Sequence, residues 1–236
     1  MTARIAAAAA GAMLAVALAP AAAQAATLAP LKPCYVTAGT AAAPQRQGFQ
    51  VSAGGFSVNA RVDLTIDGQP LVDANGQVTS LGLQADAGGN LVLPDPVPVP
   101  WIQAGMRDFT ITLTEQGNPA NTVSATAKVA ALSVNLRPKV APPSKRIRFR
   151  GRGFTLDKPV FAHYLYSGKL RRTVRLTKRT GMCGTFSARK RQIPVRYPAH
   201  GLWMVQFDQQ RRFATPAELK KGAAVRVAID VRLVRD

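Results

Sequence analysis

Two stretches of the sequence, about a hundred residues apart, repeat one pattern. Residues 49–62 read FQVSAGGFSVNARV, and residues 147–160 read IRFRGRGFTLDKPV. Gly55-Phe56 of the first stretch aligns with Gly153-Phe154 of the second, 98 residues later. A repeat of this length is the size of a domain and too long for a solenoid unit. Each copy has the pattern of a strand, a glycine turn with a Phe that enters the core, and a second strand. The sequence therefore predicts two copies of one β module.

Alternating apolar residues outside the repeat also predict strands. No apolar stripe with helical spacing follows the N-terminal 25 residues, and Pro, Gly, Asn and Asp clusters divide the chain at short intervals. Many short strands with regular turns predict an all-β fold with one β-sandwich in residues 26–133 and a second in residues 134–236. No long Gly/Ser linker separates them, so we expect a short, stiff connection. The further candidate strands are residues 61–66, 109–114, 122–129, 133–136 and 225–233.

The first 25 residues have the pattern of a cleaved signal peptide. Arg4 precedes an apolar run over residues 5–19, and Ala23-Gln24-Ala25 is a small-x-small cleavage site. We expect cleavage after Ala25 and a location outside the cytoplasm, either secreted or on the cell envelope. A membrane anchor is disfavoured because the run is too short to span a bilayer. A lipoprotein acylated at Cys34 is disfavoured because Lys32 and Pro33 stand where small residues are required.

The two cysteines, Cys34 and Cys183, fall in different halves of the chain. An even number of cysteines in an exported protein favours a disulfide, which here would join the two modules. Two buried free thiols and a bond between two chains remain the alternatives.

The charge is divided unequally between the halves. Residues 26–133 contain 5 Lys and Arg against 7 Asp and Glu, whereas residues 134–236 contain 25 against 5. The net charge is therefore −2 in residues 26–133 and +20 in residues 134–236, and the second half is suited to an anionic partner.

Arginine alternates with apolar residues on two predicted strands of the second half. In residues 146–150 three arginines point away from Ile147 and Phe149, and residues 170–178 repeat the pattern. Arginine suits bidentate contacts with phosphate or carboxylate, so teichoic acid, acidic polysaccharide and anionic lipid are the expected partners. Solvated surface charge that serves only solubility is the alternative. The predicted anion-binding residues are Arg146, Arg148, Arg150, Arg152, Arg171 and Arg175.

Nucleic acid is a less favoured partner, because single-strand binding usually adds exposed aromatic side chains on which bases stack. The candidates for stacking are Tyr164, Tyr166, Tyr197 and Phe213, of which the first two alternate as core residues do. Trp203 is expected in the core and Trp101 at a sandwich edge, against the alternative of sugar-stacking platforms.

The Gly-x-Gly-Phe strand–turn–strand pattern resembles bacterial immunoglobulin-like modules of the IPT/TIG kind. The mature chain as a whole is similar to secreted two-module proteins of Gram-positive bacteria. This resemblance implies that the chain is exported and that its fold is two tandem immunoglobulin-like β-sandwiches, and it implies no activity. The residues that carry it are Lys32-Pro-Cys-Tyr-Val, Asn118-Pro-Ala-Asn, Arg148-Phe-Arg-Gly-Arg-Gly-Phe, Cys183-Gly-Thr-Phe and Asp208-Gln-Gln-Arg-Arg.

Signatures of catalysis are lacking, so the sequence predicts a non-enzyme with no cofactor and no metal. His163 and His200 lack metal-ligand spacing and are expected to be structural or on the surface. Asp63, Asp67 and Asp73 do not form a calcium loop. The remaining alternative is a cell-wall enzyme of the L,D-transpeptidase kind with Cys183 as nucleophile, but the Ser-His-Gly-Cys signature of that family is replaced by Thr180-Gly-Met-Cys183. A structural spacer or adhesion-type protein is a further alternative.

Overall fold

The computed structural model describes residues 25–73, 75–215, 217–219 and 224–231. The predicted signal peptide, apart from Ala25, lies outside the described residues, and its cleavage stays a prediction. Within these ranges the chain forms β-strands and one short 3₁₀ turn, Met182–Gly184, so the predicted all-β class is confirmed. No helix in the described part of the chain has the length and apolar character needed to cross a membrane.

The strands that precede residue 132 pair only among themselves and form what we call the N-terminal unit. One sheet has the order β1-β5-β9, and a larger sheet has the order β3-β2-β12-β11-β6-β7, with β8 also paired to β6; β10 pairs with β4. The strands are β1 (Thr27–Leu28), β2 (Cys34–Thr40), β3 (Ala43–Arg46), β4 (Gly48–Phe49), β5 (Ser52–Gly54), β6 (Arg61–Ile66), β7 (Gln69–Pro70), β8 (Leu83–Gln84), β9 (Leu91–Val92), β10 (Val97–Pro98), β11 (Met106–Glu115) and β12 (Asn118–Ala131).

The remaining strands form the C-terminal unit, which has a three-stranded sheet of order β13-β14-β17 and a four-stranded sheet of order β16-β15-β18-β19. Every candidate strand from the sequence lies on an observed strand, except that Lys178 falls just after β16 and that residues 232 and 233 are not described. The strands are β13 (Ser133–Arg137), β14 (Arg146–Arg152), β15 (Val160–Tyr166), β16 (Lys169–Thr177), β17 (Phe186–Arg191), β18 (Gly201–Asp208) and β19 (Val225–Val231).

The two units use the repeated sequence in the same way. The strand before the glycine turn pairs with the first strand of its unit: β5 with β1, and β14 with β13. The strand after the turn, β6 or β15, belongs to the other sheet. The N-terminal unit adds β2, which pairs in parallel with β12. The sequence repeat therefore corresponds to a repeat of strand order.

The glycine of each turn has a conformation that other residues rarely adopt. Gly55 has a φ of +85° and Gly153 a φ of +78°. A Cβ on Gly55 would lie 2.6 Å from the carbonyl oxygen of Ala25, and one on Gly153 would lie 2.6 Å from the Cα of Leu132. The chain that enters each unit thus crosses directly over the turn, and only glycine leaves room for it. The Phe that follows is buried in both copies, as expected.

Each unit has its own apolar core. The N-terminal core includes Tyr35, Leu64 and Phe109, and the C-terminal core is built around Phe149 and Phe207, whose rings from opposing sheets lie 6.0 Å apart. Trp203 is 2% exposed, so its predicted core position is confirmed. Burial of these apolar faces is the main favourable contribution to folding in each unit.

The units are joined closely. β12 ends at Ala131 and β13 begins at Ser133, and the amide of Leu132 between them donates to the carbonyl oxygen of Thr37 at 2.7 Å. Cys34, at the start of β2, forms a disulfide with Cys183 of the 3₁₀ turn, with 5.3 Å between their Cα atoms. The predicted disulfide between Cys34 and Cys183 and the predicted short connection between the units are both present. The predicted boundary between residues 133 and 134 falls one residue inside β13 and stays a prediction.

Candidate anion-binding face

The outward side of β14 is occupied by arginine. Ile147 and Phe149 are buried between the sheets, and arginine at positions 146, 148, 150 and 152 points the other way, fully or half exposed. This alternation follows from the period of a strand, and the core decides which side faces solvent. Four of the six predicted anion-binding residues therefore share one face.

The neighbouring strands extend this arrangement. Arg148 lies directly opposite Arg137 of β13 on one side and Arg189 of β17 on the other, so three arginines form a row across the sheet. Arg146 lies opposite Arg191, and its Nη2 donates to the backbone carbonyl of Arg189 at 3.1 Å. We call the following set the arginine face: Arg137, Arg146, Arg148, Arg150, Arg152, Arg189 and Arg191.

The arginine face has no acidic counterpart among the described residues. In the described part of the chain none of its members forms an ion pair with Asp or Glu. The other outward residues of the three strands are Ser133, Asn135 and Ser187. Like charges directly opposite each other destabilise a sheet. The arrangement therefore costs stability, and an anion bound above it would relieve the repulsion.

The remaining two predicted residues, Arg171 and Arg175, lie elsewhere. Both belong to β16 in the four-stranded sheet, where Arg175 lies opposite Phe161 of β15. The expected strict alternation along β16 is wrong at its start, because Arg171 sits in a bulge between the pairs Leu170–Leu165 and Arg172–Tyr164. An extra residue shifts the period by one, so successive side chains there are all exposed. The six predicted residues thus do not form a single face.

Two depressions adjoin the units. A groove of about 440 Å³ lies at the end of the arginine face, between Arg150, Arg152 and Phe186 on one side and Met106 of the N-terminal unit on the other. A larger cleft of about 1130 Å³ lies beside the disulfide and is lined by both units, including Lys32, Val36, Leu156 and Met182. The buried polar atoms without a partner in the described residues, on Gln45, Tyr164 and Gln192, do not line that cleft.

The aromatic candidates do not form a stacking platform. Tyr164 is fully buried, Tyr166 packs against Trp203, and Phe213 packs edge-on against His163. Only Tyr197 is widely exposed, at 84%, with Arg196 5.4 Å from its ring centre. Trp101 is half buried, and its Nε1 donates to the carbonyl oxygen of Ala38.

His163 is part of a closed polar network. Its Nδ1 lies 2.9 Å from the hydroxyl of Thr173, and its Nε2 lies 3.1 Å from both Asp208 Oδ1 and the carbonyl oxygen of Gln210. Since both partners of Nε2 accept hydrogen bonds, Nε2 carries a hydrogen. His163 and Asp208 are 0% and 1% exposed beneath the segment that follows β18. The histidine is therefore a hydrogen-bonded structural residue, as expected.

The other chemical candidates have separate structural roles. Asp63 accepts from the amide of Gly82, Asp67 pairs with Arg107 at 2.7 Å, and Asp73 accepts from amides of its own turn. Within the described residues no three His, Cys, Asp or Glu side chains converge as metal ligands. His200 is exposed. Cys183 is oxidised in the disulfide, so a nucleophilic thiolate there would first require reduction.

Sequence reasoning missed part of the arginine face. Arg189 and Arg191 form a separate cluster in the sequence, and Arg137 belongs to no arginine-rich strand. The alternation in SVNLR and FSARKR could have placed these side chains opposite the buried ones. The register that aligns them with Arg148 depends on pairing between distant strands, which the alternation does not contain.

No protein-family model and no curated protein matches the chain. Among solved structures it is similar to the tetra-tandem repeat in the extending region of a large adhesion protein, with 17% sequence identity and a TM-score of 0.27. The similarity covers 86% of this chain and 47% of that chain, so this chain spans less than half the length of the adhesion-protein region.

Proposed function

We propose that the protein is an exported, non-catalytic binding protein that holds an anionic polymer of the cell envelope on its arginine face. The observation that carries this proposal is the set of seven arginines on one outward sheet surface, where the described residues provide no acid to neutralise them. Side chains that only kept the protein soluble would not need to converge on three adjacent strands. Export is supported by the leader sequence and by the disulfide.

We further propose that each unit is an immunoglobulin-like sandwich. In the C-terminal unit a three-stranded and a four-stranded antiparallel sheet enclose one core, and the chain passes between them after the glycine turn. In the N-terminal unit an early strand, β2, pairs in parallel with the last strand, β12. Short strands in two packed sheets are the hallmark of such folds.

The test compares two triple variants of the mature protein on phosphocellulose, with neutral cellulose as the blank. R146Q/R148Q/R150Q removes three charges from the arginine face, and R171Q/R172Q/R175Q removes three from the exposed edge of β16. The first variant should elute at much lower salt and lower the slope of log affinity against log salt by about 2. Equal losses in both variants would mean that net charge alone attracts the matrix, and the arginine face would have no special role.

A stiff spacer is the second candidate, favoured by the disulfide and by the single residue between β12 and β13. A spacer would hold two attachment points at a fixed distance and need no ligand on the arginine face. Equal retention of the wild-type protein on phosphocellulose and on neutral cellulose would favour the spacer over the binding protein.

A further inference from the structure

The spacing of the arginines along β14 points to the chemistry of the polymer, given the proposed function on which this inference rests. Alternate residues of a strand are separated by about 6.6 Å, since each residue rises about 3.3 Å. Arg146, Arg148, Arg150 and Arg152 therefore place four positive charges along a line of about 20 Å. The backbone of β14, held in register by β13 and β17, fixes the positions from which these side chains extend.

We propose that the ligand is a phosphodiester polymer whose phosphates are joined by three-carbon units and which lies along β14. From one phosphorus to the next such a chain has six backbone bonds: phosphorus–oxygen, oxygen–carbon, two carbon–carbon, carbon–oxygen and oxygen–phosphorus. Two amino-acid residues also contribute six backbone bonds, and in extended form they span about 6.6–7 Å. One phosphate can thus face each arginine of β14 without strain in either chain.

Other polyanions fit this spacing less well. Consecutive phosphates of inorganic polyphosphate share an oxygen, so two phosphates fall within the distance between two arginines. Acidic polysaccharides place whole sugar rings between carboxylates. The arginine fork forms two parallel hydrogen bonds to one phosphate, which favours a one-to-one arrangement.

The composition of the face separates this polymer from nucleic acid, whose backbone also has six bonds per unit. The outward residues of β13, β14 and β17 other than arginine are Ser133, Asn135 and Ser187, so bases would find no aromatic ring on which to stack. The exposed Tyr197 lies outside these strands, and the Arg196 guanidinium lies 5.4 Å from its ring centre. The face can therefore bind phosphates, but it offers no stacking contact to the bases of a nucleic acid.

The N-terminal unit limits the length of the bound segment. Arg152 is the last residue of β14, and its Nη1 lies 3.9 Å from the position that a Cβ on Gly105 would occupy. Met106 of the N-terminal unit lines the groove next to Arg150 and Arg152. A polymer that follows β14 thus meets the N-terminal unit after four phosphates, and affinity should rise steeply with length up to about four units and slowly beyond.

The experiment uses synthetic phosphodiester oligomers of equal charge, with about eight phosphates each, and varies only the spacer. Oligomers with three-, six- and twelve-carbon spacers, inorganic polyphosphate of matched charge and an oligothymidylate are titrated into the mature protein at fixed salt. We expect the three-carbon oligomer to bind most tightly, with the six-carbon oligomer and polyphosphate each about tenfold weaker. In the R148Q variant the difference between spacers should shrink, whereas R175Q should keep it.

The outcomes separate the two proposals. Affinity that simply rises with charge density, with polyphosphate tightest, would overturn the spacing inference and leave the binding of polyanions in place. Oligothymidylate that binds about tenfold tighter than the three-carbon oligomer would identify nucleic acid as the ligand and overturn the inference. Identical titrations for the wild type and R146Q/R148Q/R150Q with every oligomer would overturn the proposed function itself.

Discussion

The strand before the glycine turn has the same place in the fold of both units, but its outward residues are neutral in the N-terminal unit and positively charged in the C-terminal unit. Gln50, Ser52 and Gly54 in the N-terminal unit occupy the positions of Arg148, Arg150 and Arg152, 98 residues later. The side chain of Gln50 donates to the carbonyl oxygen of Leu93, and a Cβ on Gly54 would lie 2.9 Å from Asn90. At these positions the N-terminal copy is thus neutral and lies against its own loop, and the C-terminal copy is charged. The fold does not require the charge.

In the larger sheet of the N-terminal unit, the outward side of β11 and β12 carries hydroxyl pairs and an ion pair, Lys128 with Asp108 at 2.6 Å. Thr110 lies 3.2 Å from Thr126 and Thr112 lies 2.9 Å from Ser124, hydroxyl to hydroxyl, on β11 and β12. Such cross-strand pairs stabilise a sheet without placing charge on its surface. The outward side of β11 and β12 is thus built from paired groups, whereas the arginines of the arginine face have no ion-pair partner among the described residues.

The buried Phe of the glycine turn should matter equally in both units, because it is the feature that they share. Phe56→Ala and Phe154→Ala should each lower the free energy of unfolding of their own unit by about 3–5 kcal/mol. Urea titrations followed by fluorescence can separate the units, since Trp101 lies in the first and Trp203 in the second. If one unit kept its stability after the change, the buried Phe would not contribute equally to the stability of both units.

Of the two glycine turns, only the one in the N-terminal unit should lose stability in acid. The amide of Ser57 donates to the carboxylate of Glu115 at 3.1 Å, whereas the equivalent amide of Thr155 donates to the neutral side chain of Gln209 at 2.8 Å. Hydrogen bonds from Ser57 and then Asn121 hold the pKa of Glu115 below its ordinary value. A lowered pKa in the folded state gives stability that is present above the unfolded pKa of about 4.3 and is lost as the pH falls through the folded value.

Glu115→Gln measures this effect and makes the N-terminal turn resemble the C-terminal one. At pH 7 the variant should be less stable than the wild type by about 1–2 kcal/mol, and the difference should shrink as the pH falls below the unfolded pKa and through the lowered folded pKa of Glu115. Gln209→Ala is the control, since its effect should be the same at both pH values. A difference for Glu115→Gln that grows in acid would contradict the assigned sign.

The two core tyrosines should respond oppositely to the loss of their hydroxyl. The hydroxyl of Tyr35 accepts from the amide of Lys32 at 3.1 Å, but that of Tyr164 has no partner among the described residues, and burial raises the pKa of Tyr164. Tyr35→Phe should cost about 1 kcal/mol, and Tyr164→Phe should be neutral or stabilise by about 1 kcal/mol. Urea unfolding of both variants checks this. A large loss in Tyr164→Phe would mean that its hydroxyl is satisfied in solution.

The row of three arginines should lower stability slightly. Arg148→Gln should raise the free energy of unfolding by about 0.2–1 kcal/mol at low salt, because Arg137 and Arg189 then face a neutral residue. The gain should decrease as salt screens the repulsion. Arg175→Gln is the matched control, since Arg175 lies opposite Phe161 and should show no gain. Destabilisation by Arg148→Gln would mean that the row carries no repulsion.

The sequence predicted the local features of this molecule and not the long-range ones. Period-2 alternation and the Gly-Phe turn placed the strands and the buried side of β14, because both depend on neighbouring residues alone. The disulfide was predicted among alternatives, because an even cysteine count in an exported chain favours pairing. The parallel pairing of β2 with β12, the bulge at Arg171 and the contact of His163 with Asp208 join segments whose register is set only when the sheets form.

The most direct test of the arginine face is to exchange its residues with those of the N-terminal copy. R148Q/R150S gives the C-terminal unit the side chains of Gln50 and Ser52, and Q50R/S52R is the reciprocal variant. Binding of a three-carbon phosphodiester oligomer is measured as a function of salt. We predict that R148Q/R150S weakens binding at least about tenfold and lowers the salt slope by about 1.4, and that combining the two variants, which restores the net charge, does not restore binding. Full recovery in the combined variant would show that total charge, not the arrangement on β14, determines the binding.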